Sequence, residues 1–463
     1  MVTQEVAGQA LFGEYLGHFD GLIGDERTGK TFSEIVRGII NAGSLVCQRI
    51  AAHSAVLSEA KDGAQRVIRL AKGESTKRSA LDAEHLVAAL CRRGVAHLAE
   101  SEAGELWLIV DASDLRKPYA SEMPDLMQVR NLDGTLVPGY RTLNVLGLTP
   151  GRRGVLYHRL FSSVAEDFVS EPLEVQRGLK QVSQAVQALK SHMALSWIMD
   201  RGFDDVAVWR TIWEQEEHLV CRVRHTERQV AYQTLEGPWR EGDVAAAQQH
   251  LRPMAKARTE MVVRRGPQKK EKRQKVTAEI RTCPLRLTYD TAVRREGQGE
   301  EVHKDIWLVE VEILGSSLKP WLLITDWPVE DAESAVRIFG MYRQRWAVED
   351  SFKFTKGILG WEEVQLLDLE GIRTLLALAW VAAGFLYELG VTLEWPEVRL
   401  LARLGGWVER KDNPPGKTVL TRGLRRLMDM LYTQAFLDHY REEHGALPPR
   451  IAAWIGEPPP QEL

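Results

Sequence analysis

The chain has 463 residues, of which 44% are hydrophobic and 27% charged, with a formal net charge of −4. This length is enough for about three domains with sizeable cores, and the composition fits a multi-domain globular protein. No basic-then-apolar leader opens the sequence, which argues against secretion, and the four scattered cysteines are typical of buried thiols in a reducing cytoplasm. We therefore expect a cytoplasmic protein.

Residues 1–98 show a helical pattern without strand-like runs, so we expect a helical N-terminal domain. Within it, the segment from Gly24 to Thr31 satisfies the phosphate-binding loop pattern G-x4-G-K-[ST]. The residues before Gly24 do not form the β-branched strand that normally leads into such a loop. A nucleotide-binding function through Lys30 remains a minor alternative at this point.

Two aspartates follow predicted buried strands. Residues 106–110 form a continuous apolar run that leads into Asp111, with Asp114 as a rival three residues on. Residues 194–199 form a second run that leads into Asp200. A carboxylate at a strand end is held rigidly and can face a site, although a single Asp there can also be an ordinary turn or N-cap residue. Between these runs, the pattern predicts strands near 142–148 and 154–162 and a helix near 174–190.

Residues 216–325 alternate in the manner of β-strands, and this region carries a basic run that suggests contact with nucleic acid. From Arg252 to Lys275 there are ten Lys or Arg against two Glu, interrupted by Gly266, Pro267 and Gln268. This run is either a loop that contacts the DNA backbone or a solvated, disordered charge run. Trp321 lies near the end of the region, and the pattern alone indicates a core or sheet-surface residue.

A polar stripe marks the next predicted helix. The run from Met341 to Lys356 lacks Gly and Pro and is predicted to be helical. At about 100° per residue, Arg345, Glu349 and Lys356 fall within about 60° of Tyr342 on one face. Such a stripe either faces a functional site or is a solvated, salt-bridged surface.

The chain is predicted to be helical again from residue 365 onward. Its longest apolar run, residues 375–387, is too short to span a bilayer and is typical of a buried helix. We therefore expect no membrane association.

The spacing Tyr-x2-Arg-x3-Glu-x6-Lys resembles the YREK signature of a large group of bacterial insertion-sequence transposases, which are DDE enzymes with an RNase H-like fold. Asp200-Arg201-Gly202-Phe203-Asp204 also resembles an Asp-Arg-Gly-Tyr-Asp element of that group. The segment from Leu22 to Arg27 is similar to its N-terminal Leu-Gly-Asp-x-Arg element, which offers another explanation for the phosphate-loop match.

The resemblance implies a role for each candidate residue. Asp111, Asp200 and Glu349 would be the catalytic acids and the ligands of two Mg²⁺ ions, with Mn²⁺ able to substitute. Asp111 is preferred to Asp114 because the first acid of the family directly follows its strand. Two Mg²⁺ ions suit phosphodiester chemistry, and hard carboxylate oxygens suit Mg²⁺. The residues expected to bind DNA are Tyr342, Arg345, Lys356, Trp321, Lys269, Lys270, Lys272 and Arg273.

The expected fold class is α/β: an RNase H-like mixed sheet core with a strand-rich insertion, plus helical N- and C-terminal regions. The expected domains are a DNA-end-binding domain (1–98), the first part of the core (104–215), the β-rich insertion (216–325), the closing YREK helix (326–364) and a helical, dimerising C-terminal region (365–463). The expected function is cut-and-paste transposition, with double-stranded DNA as partner and a homodimer in the DNA complex. A non-catalytic DNA-binding relative that represses transposition is the alternative from a different class.

Overall fold

The computed structural model describes residues 7–54, 62–73, 81–131, 133–265, 270–290, 301–409 and 414–456. The chain forms two compact units that interleave along the sequence. Unit 1 contains Met1–Gly94, Leu115–Gly139 and Ser351–Leu463, and unit 2 contains Val95–Asp114 and Tyr140–Asp350. The fold is mixed α/β, with one large mixed sheet and helices toward both ends of the sequence.

The elements are numbered here in chain order. The helices are α1 Ala7–Gly17, α2 Glu26–Ala42, α3 Cys47–Ala52, α4 Gly63–Lys72, α5 Ala83–Ala99, α6 Glu171–Ala185, α7 Val206–Trp213, α8 Val244–Gln248, α9 Ala332–Arg343, α10 Trp346–Ile358, α11 Leu369–Thr392, α12 Trp395–Leu404, α13 Lys417–His444 and α14 Pro449–Trp454. The strands are β1 Glu105–Arg116, β2 Met127–Arg130, β3 Leu136–Thr149, β4 Arg152–Phe161, β5 Ala194–Met199, β6 His218–Arg222, β7 Gln229–Gln233, β8 Trp239–Asp243, β9 Arg252–Arg265, β10 Lys270–Asp290, β11 Glu301–Ile313 and β12 Trp321–Thr325.

Unit 1 is built around α11, whose sequence is apolar on nearly every side. Its contacts include α1, where the Tyr15 hydroxyl donates to the Val381 carbonyl at 2.9 Å and Phe12 packs edge-on against Phe385. The helix is long and apolar enough to cross a membrane, but 89% of its most apolar window is buried inside the protein. It is therefore a core helix, as the apolar run had predicted.

Unit 2 contains most of the sheet, in the order β3-β1-β5-β6-β12-β11-β10-β7-β8, with β4 paired to β3 and β9 paired to β10. Strand β5 pairs in parallel with both β1 and β6, whereas β6–β12, β12–β11 and β11–β10 are antiparallel. Five of the six β5 residues are buried, as expected for a parallel strand covered on both faces.

Local sequence signals explain where several of these elements begin. Helix α6 starts after Ser170, whose side chain accepts a hydrogen bond from the Leu173 amide at 3.3 Å. Helix α9 starts with a capping box in which Asp331 accepts from the Ser334 amide and the Ser334 hydroxyl accepts from the Asp331 amide. These helices flank the segments that carry the candidate site.

The strands and helices predicted from the sequence are largely present, and two differences concern the strands. Strand β1 does not end before Asp111 but continues to Arg116, because β3 lies along its other side after the pairing with β5 stops. The basic run lies mostly on the paired strands β9 and β10 and not in a loop. The interruption at Gly266, Pro267 and Gln268 falls outside the described residues, and so does Lys269.

Candidate active site

Asp111 and Asp200 lie beside one another, just beyond the point where the parallel pairing of β1 with β5 ends. The parallel pairing of β1 with β5 ends at Val110 and Met199, which are direct partners in the register. Asp111 is the next residue of β1 and Asp200 is the residue that follows β5, and neighbouring parallel strands are about 4.8 Å apart. Because the two strands run in parallel, both carboxylates lie where this pairing ends, on adjacent strands.

The rival acid Asp114 lies three residues further along β1. Side chains alternate between the two faces of a strand, so an offset of three places Asp111 and Asp114 on opposite faces. The Asp111 carboxylate lies 3.6 Å from the Arg345 guanidinium. The geometry therefore favours Asp111 as the acid that belongs to the same cluster as the YREK residues.

The YREK residues do not lie on one continuous helix, and that expectation was wrong. Helix α9 ends at Arg343 and α10 begins at Trp346. The link is a tighter turn, in which the amides of Gln344 and Arg345 donate to the carbonyls three residues earlier at 2.9 and 3.1 Å. Tyr342 thus stands at the end of one helix and Arg345 in the turn, while the other two YREK residues belong to α10.

Arg345 joins two of the three acids, and Tyr342 contacts the third. The Arg345 guanidinium pairs with the Glu349 carboxylate and lies 3.6 Å from that of Asp111, and only 11% of the Arg345 side chain is exposed. The third acid, Asp200, accepts a hydrogen bond from the Tyr342 hydroxyl at 3.3 Å. The structure thus brings together Asp111, Asp200, Glu349, Tyr342 and Arg345 in unit 2.

The crowding of these groups is visible in their electrostatics. Burial raises the pKa of Asp111 to about 7; Arg345 opposes this shift, whereas the negative charges of Asp200 and Glu349 add to it. Burial, followed by the charge of Asp200, raises the pKa of the Tyr342 hydroxyl well above its ordinary value. Burial lowers the pKa of Arg345, but Tyr342 and the three acids raise it more, so its pKa lies above the ordinary value. The site holds more negative charge than Arg345 alone balances.

The donor set has the chemistry of a divalent metal site, although the side chains are not closed around such a site. Among the residues that the structure describes, no group of three or more His, Cys, Asp or Glu side chains is arranged to hold a metal ion. Carboxylates are nevertheless the hard oxygen ligands that Mg²⁺ prefers. Burial and the neighbouring acids raise the pKa of Asp111, and a cation bound beside it would lower that pKa by stabilising the ionised carboxylate. In ligand type and charge, the carboxylates of Asp111, Asp200 and Glu349 therefore fit Mg²⁺.

Lys356 belongs to unit 1 and lies two helical turns after Glu349 on α10. Its ammonium is 3.0 Å from the Glu362 carboxylate and 5.6 Å from the centre of the Trp361 ring. The resemblance had implied a phosphate-binding lysine at this position. The structure shows a carboxylate, that of Glu362, in contact with this lysine.

Trp321 is a packed residue at the start of β12, and 6% of its surface is exposed. Its ring contacts those of Phe339, Tyr342 and Trp346. Trp346, which is 39% exposed, is the accessible member of this aromatic group. The sequence analysis overlooked Trp346, although its position between Arg345 and Glu349 was a signal that could have identified it.

The predicted basic cluster is only partly described. Lys269 lies outside the described residues, and for Lys270, Lys272 and Arg273 the structure describes the backbone of β10 alone. That backbone pairs with β9 in a long antiparallel hairpin. A role in DNA binding stays a prediction for these four residues.

The structure argues against the phosphate-loop alternative. Residues 26–31 belong to α2 and form no glycine-rich loop, and Lys30 pairs with Glu26 at 2.7 Å on the surface. The Asp25 side chain caps the helix by accepting from the Thr28 amide at 2.8 Å. A carboxylate therefore occupies the helix N-terminus where a phosphate would have to bind.

Comparison with known proteins is consistent with this site. Residues 179–384, a little under half of the chain, match the family described as "Transposase DDE domain". The matched range includes Asp200 and Glu349, and Asp111 precedes it.

Among solved structures, the chain is similar to a piggyBac transposase in a cryo-EM structure of its synaptic complex with hairpin DNA. The two share 12% sequence identity and a TM-score of 0.39, over 78% of this chain and 59% of the other. This chain therefore covers less than two thirds of the length of that protein. The match of residues 179–384 to the DDE domain supports a DDE transposase.

Proposed function

We propose that this protein is a transposase that nicks and joins DNA at the ends of a mobile element, in a cut-and-paste route, on an RNase H-like core. The observation that carries the proposal is the position of Asp111 and Asp200, each of which directly follows the last residue pair in the parallel pairing of β1 with β5, with Glu349 joined to Asp111 through Arg345. The paired strands hold the first two carboxylates, and the turn between α9 and α10 brings in the third.

Asp111, Asp200 and Glu349 would hold two Mg²⁺ ions, and Mn²⁺ would substitute. When bound, such ions supply a nucleophile at neutral pH and stabilise the leaving oxygen of the phosphodiester. Arg345, which pairs with Asp111 and Glu349 in the DNA-free protein, would then be released to bind a phosphate with its planar guanidinium. The Tyr342 hydroxyl would keep Asp200 oriented or donate to a phosphate oxygen.

The aromatic group would serve the substrate rather than the metal. Trp346 offers an exposed indole next to Arg345, whereas Trp321 supports it from behind with its ring 5.2 Å away. A base turned out of the duplex would stack first on Trp346, and stacking on Trp321 would require Trp346 to move aside. Both residues therefore belong to the proposed DNA contact, with different roles.

The remaining parts of the proposal concern partners. The helical residues 1–98 would bind the element end, the basic hairpin of β9 and β10 would follow the DNA backbone, and residues 365–463 would support a homodimer in the DNA complex. We place the protein in a bacterial cytoplasm, associated with the nucleoid when bound to DNA. These assignments rest on charge, pattern and resemblance.

The direct test is strand cleavage. Purified protein is incubated with end-labelled duplexes taken from the two flanks of its own gene, with Mg²⁺ or with EDTA. We expect nicks at defined positions that depend on Mg²⁺ and on flank sequence. DNA binding without any cleavage in Mg²⁺ or Mn²⁺ would contradict the proposed enzyme and favour a repressor.

A further inference from the structure

Glu362 is bound by two cations in unit 1. It belongs to the short 3-10 helix Trp361–Glu363, and its two carboxylate oxygens lie 2.7 and 2.6 Å from Nη2 of Arg116. The ammonium of Lys356 lies 3.0 Å from the same carboxylate. The side chains of Arg116, Lys356 and Glu362 are 16%, 24% and 29% exposed. This ion triad is therefore partly shielded from water, and its interactions are stronger than those of an exposed pair.

The carboxylate of Glu362 is ionised in this environment. Burial alone would raise its pKa, but the charges and hydrogen bonds of Lys356 and Arg116 lower it below the ordinary value. The two cations thus face a full negative charge. Together they leave a net positive charge at the triad, which a single carboxylate does not cancel.

The two cations stand on the elements that carry the candidate catalytic acids. Arg116 follows Asp111 by five residues on β1, and Lys356 follows Glu349 by seven residues on α10. A carboxylate and a phosphodiester both offer two oxygens that share a negative charge, and Arg and Lys bind either group. The Glu362 oxygens therefore stand where two phosphate oxygens could be bound.

We propose that Arg116 and Lys356 form a binding site for a DNA backbone phosphate, and that Glu362 occupies this site until DNA displaces it. The inference rests on the proposed function, because it names an additional DNA contact, Arg116, and a device that restrains DNA binding. Binding exchanges one anion for another at the triad, so Glu362 lowers the affinity for any duplex. It also lowers the salt dependence, since cations that pair with Glu362 neutralise fewer phosphates and so release fewer counterions from the DNA.

The test compares the full-length variant E362Q with wild type and with E370Q. Glu370 lies on α11 in the same unit, pairs with Arg373 on the surface and is 64% exposed, so E370Q makes the same change in net charge away from the triad. Binding of a labelled random-sequence duplex is measured in EDTA over a salt series. We expect E362Q to bind roughly three- to tenfold more tightly than E370Q, with a log–log salt slope steeper by up to about 0.9.

Two further variants test the pairing itself. In R116Q/E362Q the gain should shrink, because one of the two cations that E362Q exposes is absent. E362D, which keeps the charge but shortens the side chain, should give a smaller gain, and thermal melts identify any variant that is unfolded. Should E362Q unfold, E362D decides: affinity equal to that of wild type would overturn the proposal.

The outcomes separate this inference from the proposed function. Absence of duplex binding by wild type would overturn the proposed function itself. Normal binding by wild type with E362Q equal to E370Q would overturn the inference alone, as would a gain that is undiminished in R116Q/E362Q. A gain for inorganic phosphate without a gain for duplex would mark an anion site outside the DNA path, and that result also contradicts the inference.

Discussion

Asp111→Asn should stabilise the metal-free protein at neutral pH. The Asp111 carboxyl has a pKa of about 7 in the folded protein, compared with an ordinary value of 3.8. Because the folded pKa is raised, stability that is present below the ordinary pKa is lost as pH rises through about 7. The ionised carboxylate is thus a cost to the folded state in the absence of metal, and asparagine removes its charge.

The size of this effect follows from the shift. A change from 3.8 to about 7 corresponds to at most about 4 kcal/mol in the free energy of unfolding. The side chain is 19% exposed, and asparagine loses the attraction of Arg345, so both considerations reduce the gain. We expect a net gain of roughly 1–3 kcal/mol at pH 8, which is several degrees in Tm for a folded unit of this size.

The assay is thermal unfolding in EDTA between pH 4 and pH 8, repeated with Mg²⁺. The difference in Tm between Asp111→Asn and wild type should grow with pH and be smallest near pH 4. Mg²⁺ should raise the Tm of wild type more than that of the variant, because the variant lacks one proposed ligand. Asp114→Asn, on the opposite face of the same strand, is the matched control. A gain that does not change with pH, or an equal gain in the control, would refute the reasoning.

Other predictions concern DNA and acid stability. Neutralising the basic cluster of Lys269, Lys270, Lys272 and Arg273 should weaken duplex binding and flatten its salt slope by about 0.9 per lost phosphate contact. An unchanged slope would mean that the cluster is merely solvated. Trp346→Ala should slow the step after first-strand nicking roughly ten- to a hundredfold, because a flipped base loses its stacking partner. Trp321→Ala should slow the same step and also lower Tm. If Trp346→Ala slows nicking as much as the later step, a stacking role is excluded. Burial lowers the pKa of His158 from 6.5 to about 3, so stability should fall as pH drops below 6.5, by about 2 kcal/mol at pH 5. His158→Gln should remove that dependence in acid melts, and an unchanged pH profile would contradict the assignment.

The sequence predicted those parts of the site that depend on local pattern. The apolar runs before Asp111 and Asp200 were visible because a parallel strand covered on both faces needs an uninterrupted apolar stretch. Their adjacency could be expected only through the resemblance, since no pattern in one strand names its partner. The extension of β1 to Arg116 depends on β3, a neighbour that the strand itself does not reveal.

The break between α9 and α10 could not be predicted from composition. Gln344 and Arg345 carry no Gly or Pro signal, and Tyr342 and Trp346, on either side of the tighter turn, both pack against the distant residue Trp321. For the same reason the sequence singled out Trp321 and overlooked the more exposed Trp346. The contact of Glu362 with Arg116 joins positions 246 residues apart, and only the fold brings them together.

The most direct test of the central claim is the rate of Mg²⁺-dependent nicking of end DNA by Asp111→Ala, Asp200→Ala and Glu349→Ala, with Asp114→Ala as the control. Each variant is first shown to be folded and to bind the same DNA. We expect nicking to be abolished in the first three variants and retained in the control, because only the three clustered acids would hold the metal ions. Normal nicking by all three variants, or loss of nicking in Asp114→Ala with normal nicking in Asp111→Ala, would contradict the assigned site.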